Sequence, residues 1–353
     1  MNTFGNIIKN ERTKANKTLS EVFFDLKIDT AILSKIERGE RTATKKQVLD
    51  FINYYNINEK EAFSVWLSER ILKEYKTEKY ILDAFKVAEQ EVEYHKLPSN
   101  FSPSIQDLIT EADDLKNRWN AFKPLNKTQV KKMREFFNVN YTYNSNKIEG
   151  STLTMQETHL VVNEGLTISG KSMREHLEAV NHYEAIDFIE GLVKNKEQLT
   201  ERVLNEIHYL ILNGIDRKNA GKYRKVPVYI SGSSHTPPQP YLVAKQMEEV
   251  FQFYQTEKNN IHPIILAADM HEKVVTVHPY IDGNGRTSRL VMNLILLQNG
   301  FPIANIKGDD TSRLNYYKAL EIVQTENNTE QFYKLILEAT IFSLKEHIKL
   351  SGG

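Results

Sequence analysis

The chain is 353 residues long, with 46 lysines and arginines against 46 aspartates and glutamates and a formal net charge of +0. Balanced charge argues against a surface built as a whole for nucleic acid or for acidic partners. The length is enough for two or three domains with real cores. With no cysteine in the chain, disulfides, thiolate catalysis and thiolate-bound zinc are excluded. No apolar run approaches the roughly 20 residues that span a bilayer, and Met1–Lys9 lacks the apolar core of a signal peptide. The expectation is a cytoplasmic protein with no membrane partner.

From the N-terminus, residues 1–57 read as one small helical domain. Apolar spacing predicts short helices at about Phe4–Ala15, Thr18–Leu26, Thr30–Arg38 and Lys45–Tyr55, with Thr18 and Asp29 as caps and Glu21 completing a capping box. Leu19, Val22, Phe23, Leu26, Ile32, Leu33, Ile36, Val48, Leu49 and Ile52 are expected to form its core. Ten basic residues outweigh seven acidic ones here, a mild excess rather than a strong electrostatic footprint. The run from Leu19 through Ile28-Asp-Thr-Ala-Ile-Leu-Ser-Lys-Ile-Glu-Arg-Gly to Thr44 resembles the Cro/repressor type of helix-turn-helix. That resemblance implies a turn at about Lys27–Asp29 and a recognition helix at Thr30–Glu37. Thr30, Ala31, Ser34 and Lys35 would lie near bases, and Arg38 or Arg41 near phosphate. One departure is the aromatic pair Phe23-Phe24 where the first motif helix usually carries a small residue. DNA and protein both stay open as partners of this domain, and specific DNA binding by a single module implies a dimer.

Next, Asn58–Lys96 reads as continuous helix, and Leu97-Pro-Ser-Asn-Phe-Ser-Pro103 is the clearest linker signal in the chain. Residues 58–103 are therefore taken as a helical connector and linker, and 104–353 as the main domain. From Ile105 onward nearly everything carries helical spacing, so the fold class is all-α, with one β-rich exception. Thr128–Glu149 is predicted as a helix stopped by Gly150. Ser145 and Glu149 lie four apart and share a face. By itself Glu149 reads as a solvated charge, mildly unfavourable in a last turn by on the order of 0.3–1 kcal/mol. The exception is Tyr223–Val243, where Val226, Val228 and Ile230 alternate before a Ser231–Ser234 turn, the pattern of a β-hairpin. His235, near its tip, is given no catalytic role.

The densest chemistry lies in His278-Pro-Tyr-Ile-Asp-Gly-Asn-Gly-Arg-Thr-Ser-Arg289. A Gly-Asn-Gly turn opens a predicted helix Arg286–Asn299, where glycines let backbone amides approach an anion and the helix dipole favours it. Arg286 and Arg289 are three apart on that helix, and planar guanidinium groups suit phosphate oxygens. Asp282 is placed to hold a magnesium ion bridging phosphates, and His278 to take a proton from an attacking hydroxyl. A calcium loop is excluded by the missing alternating oxygens and terminal Glu. No G-x-G-x-x-G follows a strand, and His271 and His278 are too far apart for a zinc-protease helix.

These residues resemble the Fic family signature, H-x-F-x-[D/E]-G-N-G-R-x-x-R, with Tyr280 in place of the aromatic Phe. The resemblance implies a helical Fic core with a β-hairpin flap, spanning about 104–340, and transfer of AMP from ATP onto a Ser, Thr or Tyr hydroxyl of a protein target, itself included. In that pattern His278 is the base and Asp282 the Mg2+ ligand. Gly283, Asn284 and Gly285 hold the α-phosphate region, and Arg286 and Arg289 the β- and γ-phosphates. Position 285 is Gly, not the lysine of Doc-like phosphotransferases, which favours nucleotidyl transfer. Ser145-Asn-Lys-Ile-Glu149-Gly150 resembles the family's inhibitory motif. It implies that Glu149 pairs with Arg289 and denies it to the γ-phosphate. The hairpin at 223–243 resembles the family's flap, in which Val226, Val228 and Ile230 would hold the target by edge pairing. De-AMPylation on the same site, or a DNA-binding regulator whose Fic domain senses nucleotide, are the rival readings. Family members often pair through this domain, so a homodimer is a further expectation.

Overall fold

The structure, a computed structural model, describes residues 3–82, 84–85, 101–122, 127–230 and 232–351. Among them there are helices, turns and irregular segments but no strand, and no helix long and apolar enough to cross a membrane. The chain divides into two compact units, Met1–Gln90 and Glu91–Gly353.

The first unit holds α1 (Phe4–Lys14), α2 (Leu19–Leu26), α3 (Thr30–Glu37), α4 (Lys45–Tyr55) and α5 (Glu59–Tyr75). Both halves of the Thr18–Glu21 capping box form, and Asp29 accepts from the Ala31 and Ile32 N–H groups. These two caps fix where α2 and α3 begin, and the three residues 27–29 separate the helices, with Lys27 in the left-handed region. Val22, Leu33, Ile36, Val48 and Ile52 enter the core as expected, joined by Phe4, Ile8, Phe51 and Trp66. Leu49 is exposed instead, and Phe24 is 66% exposed, so the extra aromatic bulk of α2 lies outside the helix contacts. α5, expected as connector, packs into this core: Trp66 Nε1 donates to the Ala43 carbonyl at 2.8 Å and the Phe4 N–H to Glu69 Oε1 at 2.8 Å. It ends at Tyr75 rather than running on to 96. Residues 73–80 are all exposed, and without an apolar face to bury, a helix loses most of its support. The rest of that expected helix beyond 85, and the linker up to 100, lie outside the described residues.

α1 crosses α3 at backbone contact. A Cβ on Gly5 would sit 2.1 Å from the Ile36 carbonyl oxygen. Beside this crossing Arg12 makes a two-pronged pair with buried Glu37, at 2.7 and 2.9 Å. Gly5→Ala is therefore expected to destabilise the first unit by roughly 1–3 kcal/mol through overpacking. Chemical denaturation of the full chain would read this as an earlier transition, and an unchanged midpoint would contradict it.

The second unit comprises α6 (Pro103–Ala121), α7 (Lys127–Ile148), α8 (Met155–Glu164), α9 (Met173–Lys194), α10 (Glu201–Ile211), α11 (Pro240–Glu257), α12 (Pro263–Val277), α13 (Asn284–Gln298), α14 (Asp310–Glu326) and α15 (Glu330–Leu350). Its centre is the pair α12 and α13. Leu290, Val291, Met292, Leu294, Ile295 and Leu296 are all buried, so past Arg289 α13 is buried round its whole circumference and apolar save for Asn293, which is bonded to Ala304, the mark of a central helix. α7, α9 and α10 pack on α13, while α11, α14 and α15 pack on α12. The loop 278–283 joining the central pair thus sits at one end of a packed core.

The expected hairpin is absent: the described residues of 223–239 carry no strand ladder. Pro227, Pro237 and Pro238 have no N–H to give. The Val226 and Pro238 carbonyls are taken by Arg224, at 3.2 and 2.6 Å. Val226 is exposed, and Val228 and Ile230 are half-buried on this irregular segment.

Candidate functional site

At the start of α13, Gly283 has φ 78°, a left-handed turn that glycine adopts freely. No side chain caps this helix, so the N–H groups of its first turn have no partner within it. Asn284 spends both ends of its side chain on Tyr280, accepting from its N–H and donating to its carbonyl, each at 2.9 Å. The side chain closes the loop and caps none of the first-turn N–H groups. Tyr280 is buried, its ring stacked on His208 at 3.5 Å and its hydroxyl donating to Asn205 Oδ1 at 2.8 Å. That second bond accounts for tyrosine where the signature has phenylalanine.

His278 caps the C-terminus of α12 with φ 50°. Its Nδ1 lies 3.3 Å from the Val275 carbonyl. A carbonyl only accepts, so Nδ1 carries the proton and Nε2 keeps its lone pair. Burial pushes the imidazole pKa down to about 4; the Val275 bond opposes this and the Arg224 charge adds to it. The ring is neutral at neutral pH and able to accept a proton.

Arg289 is 1% exposed. Its Nη2 lies 2.7 Å from Glu149 Oε1 and 2.9 Å from the Ser145 carbonyl, and its Nε donates to Ser145 Oγ at 3.0 Å. Nη1 reaches Tyr316 Oη at 3.4 Å, and that hydroxyl meets His271 Nε2 at 3.0 Å. Glu149 follows the last residue of α7, and its carboxylate lies over Gly285: a Cβ there would stand 2.4 Å from Glu149 Oε1. A carboxylate therefore occupies the anion cradle between Gly285 and Arg289. Around it is a cavity of about 630 Å³, lined also by His278, Ile230, Arg313 and Tyr317.

Arg286 is directed elsewhere. It is buried, 3.2 Å from Glu178 and 3.4 Å from Asp282 Oδ1. Asp282 also accepts from the Gly283 N–H at 2.6 Å and from Arg174 at 2.5 Å. Burial alone would raise the Asp282 carboxyl, but Arg286, the Gly283 N–H and Arg174 outweigh it and hold it below the usual range. Among the described residues no group of three or more His, Asp or Glu side chains could hold a metal by itself. A lone carboxylate, 41% exposed, fits a magnesium ion that takes its remaining ligands from phosphates and water.

The structure thus brings His278, Gly285, Arg289, Glu149 and Ser145 together, with Asp282 and Arg286 on the far side of the turn. Three contributors were not found by sequence reasoning. Arg224 donates to the His278 carbonyl at 2.8 Å, and Arg174 holds Asp282. His208 accepts from the Gly221 N–H and donates to the Asp282 carbonyl, both at 2.9 Å. In the sequence these are one base among several and a histidine on an apolar helix face.

Four histidines of this unit, His182, His208, His271 and His278, are held below the ordinary imidazole pKa chiefly by burial, His208 and His278 to about 4 and His271 to about 3. The folded chain then binds fewer protons than the unfolded one between about pH 6.5 and 4. Stability is full above pH 6.5 and lost as the pH falls towards 4, by on the order of 3 kcal/mol for each of His208 and His278. Asp269, pushed up to about 6 by burial, and Glu190, also raised by burial, oppose this. The melting temperature should fall steadily over that window at fixed ionic strength, and a flat profile would contradict it.

The site thus sets a helix start with unpaired N–H groups beside a neutral histidine and a paired arginine. Residues 198–296 match the Fic/DOC family. It is 34% identical over 201 residues to the protein adenylyltransferase Fic of Drosophila grimshawi, covering 57% of this chain and 41% of that one. With the namesake from Nematostella vectensis the identity is 34% over 217 residues, covering 61% and 50%. The chain spans at most half the length of these two relatives. Among solved structures, a Fic domain containing signaling protein from Bacteroides thetaiotaomicron superposes with a TM-score of 0.62 at 28% identity, covering 68% of this chain and 97% of that one. Fic-1 from Caenorhabditis elegans, at 23% identity and a TM-score of 0.63 over 97% of this chain and 96% of that one, shares the fold.

Proposed function

We propose that the chain is a protein adenylyltransferase: it transfers AMP from ATP to a protein hydroxyl and is restrained by its own Glu149. The observation that carries the reading is the carboxylate of Glu149 seated between Gly285 and Arg289, where a phosphate would make the same contacts. His278 Nε2 would take the proton of the attacking Ser, Thr or Tyr hydroxyl. Its oxygen would bond to the α-phosphorus as the bond to the β-phosphate bridge breaks and pyrophosphate leaves. The first-turn N–H groups of α13 would stabilise charge at the α-phosphate, and Arg289 the terminal phosphate. Asp282 would hold Mg2+, which when bound neutralises charge on the phosphates. Arg286 would act from beneath this ligand, through Asp282 and Glu178. The segment 226–238, with Ile230 on the cavity wall, is the candidate holder of the target.

The test uses two labels on ATP with the Glu149→Gly chain. Label from the α-phosphate should appear on protein and label from the γ-phosphate in free pyrophosphate. γ-Label on protein would instead mean phosphoryl transfer. No label on any protein from either position would favour de-AMPylation or nucleotide sensing.

A second reading concerns the first unit alone. On α3, Ala31 and Lys35 are exposed, as is Arg38 just after it, the face a recognition helix would present. Arg38 is tied to Glu40 at 2.7 Å and to Ser34 at 2.6 Å, so a phosphate would have to compete for it. Lys35→Ala/Arg38→Ala should remove a gel shift with duplex DNA if this face binds it.

A further inference from the structure

Arg224 is 3% exposed, yet it is paired with no carboxylate among the described residues. Its guanidinium instead donates to four carbonyls: His278 at 2.8 Å, Val226 at 3.2 Å, Pro238 at 2.6 Å and, more weakly, Val277 at 3.5 Å. Its own backbone N–H donates to the Pro279 carbonyl at 2.9 Å. Burying a cation with only neutral partners is costly, and burial lowers its pKa. What the arrangement achieves is geometric. A guanidinium presents its donors in one rigid plane. Here that plane joins the peptide of His278 to both ends of the segment 226–238. His278 is a non-glycine residue in the left-handed region, where the direction of its carbonyl is not set by helix hydrogen bonding. The tip of the same segment is pinned separately. Ser234 donates to Glu321 Oε1 through N at 3.1 Å and Oγ at 2.5 Å, and His235 Nε2 donates to the Thr276 carbonyl at 2.9 Å.

We propose that Arg224 is a positioning residue that locks the base-bearing peptide and the target-holding segment into one rigid unit, fixing the imidazole relative to the incoming hydroxyl. This rests on the reading of His278 as the base. Arg224 does not line the cavity of the anion cradle, so its effect belongs to the rate of transfer and not to nucleotide affinity. A misplacement of about 1 Å costs on the order of 100-fold in rate. Lysine keeps the charge but offers a point donor instead of a fork.

The experiment compares Glu149→Gly with the double variants carrying Arg224→Lys or Arg224→Met, in the full chain. Mg2+-ATP affinity is measured by calorimetry, and protein labelling from α-labelled ATP is followed with lysate as acceptor. Trypsin cleavage after Lys225 gauges the hold on the segment. Expected are ATP affinity within about twofold of the parent, kcat lowered about 100-fold for Lys and further for Met, and faster cleavage after Lys225. Labelling at the parent rate with equal protection would overturn the proposal. So would a loss of ATP affinity in step with the rate, which would mark Arg224 as only structural. If Arg224→Met does not fold, the Lys variant decides. If Glu149→Gly itself gives no label, the functional reading fails. Unchanged cleavage in Arg224→Lys would then still refute the lock, and faster cleavage would still support it.

Discussion

Glu149→Gly is expected to raise the rate of AMP transfer at least about 100-fold, the equivalent of some 3 kcal/mol of a buried ion pair no longer competing with substrate. The argument is steric as well as electrostatic. Glu149 Oε1 stands 2.7 Å from Arg289 Nη2 and would touch any atom added at Gly285. A phosphate cannot use that guanidinium while the carboxylate holds it. Removal leaves Arg289 bonded to Ser145 and Tyr316 but without a counter-charge. The nucleotide-free variant should therefore be less stable by about 1–2 kcal/mol, below the full cost of breaking a buried pair because Glu149 keeps 35% of its side chain exposed. Saturating ATP should more than restore the loss, since only the folded chain binds it. Glu149→Gln keeps shape and an acceptor but no charge, and should fall between the two. The measurement is paired: labelling from α-labelled ATP, and melting temperature with and without Mg2+-ATP. A variant that gained stability from ATP no more than wild type, with no gain in labelling, would remove the inhibitory role.

How much of this site could be read in the sequence follows from how local its parts are. Gly283, Asn284, Arg286 and Arg289 lie within two turns, and helical spacing carries them as a set. Glu149 was reachable only through the resemblance of Ser145–Gly150 to the family's inhibitory motif; by itself it reads as a solvated charge. What could not be read are contacts with backbone. Arg224 reaches carbonyls of residues 226, 238 and 278, and no side-chain periodicity reports where a carbonyl will point. The expected hairpin failed for the same reason: Val226, Val228 and Ile230 alternate correctly, but prolines remove donors and Arg224 claims the acceptors. In the first unit the caps Thr18 and Asp29 were legible because a cap is a contact within four residues. The docking of α5 was not, because Trp66 and Glu69 find partners at Ala43 and Phe4. Asn284 is intermediate: its place at the turn was legible, whereas its use as a loop clasp needed the positions of both Tyr280 backbone groups.

His278→Asn, made in the Glu149→Gly chain, is expected to lower AMP transfer by on the order of 1,000-fold, within the 10²–10⁴ that a positioned base contributes. The choice of asparagine matters. His278 sits at φ 50°, where alanine is strained but asparagine is tolerated, so the loop that carries the first-turn N–H groups of α13 should keep its shape. Asparagine also keeps a polar side chain but has no group that takes a proton near neutral pH. If transition-state charge is stabilised mainly at the helix start and at Arg289, ATP affinity should remain within about twofold, because nucleotide binding and proton removal use different atoms. The melting temperature should hold or rise slightly below pH 6.5, since the variant removes one of the buried imidazoles that acid unfolding must protonate. Transfer that survived in His278→Asn would mean that another group, or the hydroxyl unaided, loses the proton. His235 and His271 do not offer the same chemistry: His235 Nε2 is committed to the Thr276 carbonyl and His271 Nε2 to the Tyr316 hydroxyl. Of these three rings on α12 and the segment facing it, His278 is the one whose Nε2 carries no such commitment, and the size of the loss in His278→Asn measures what that free lone pair is worth.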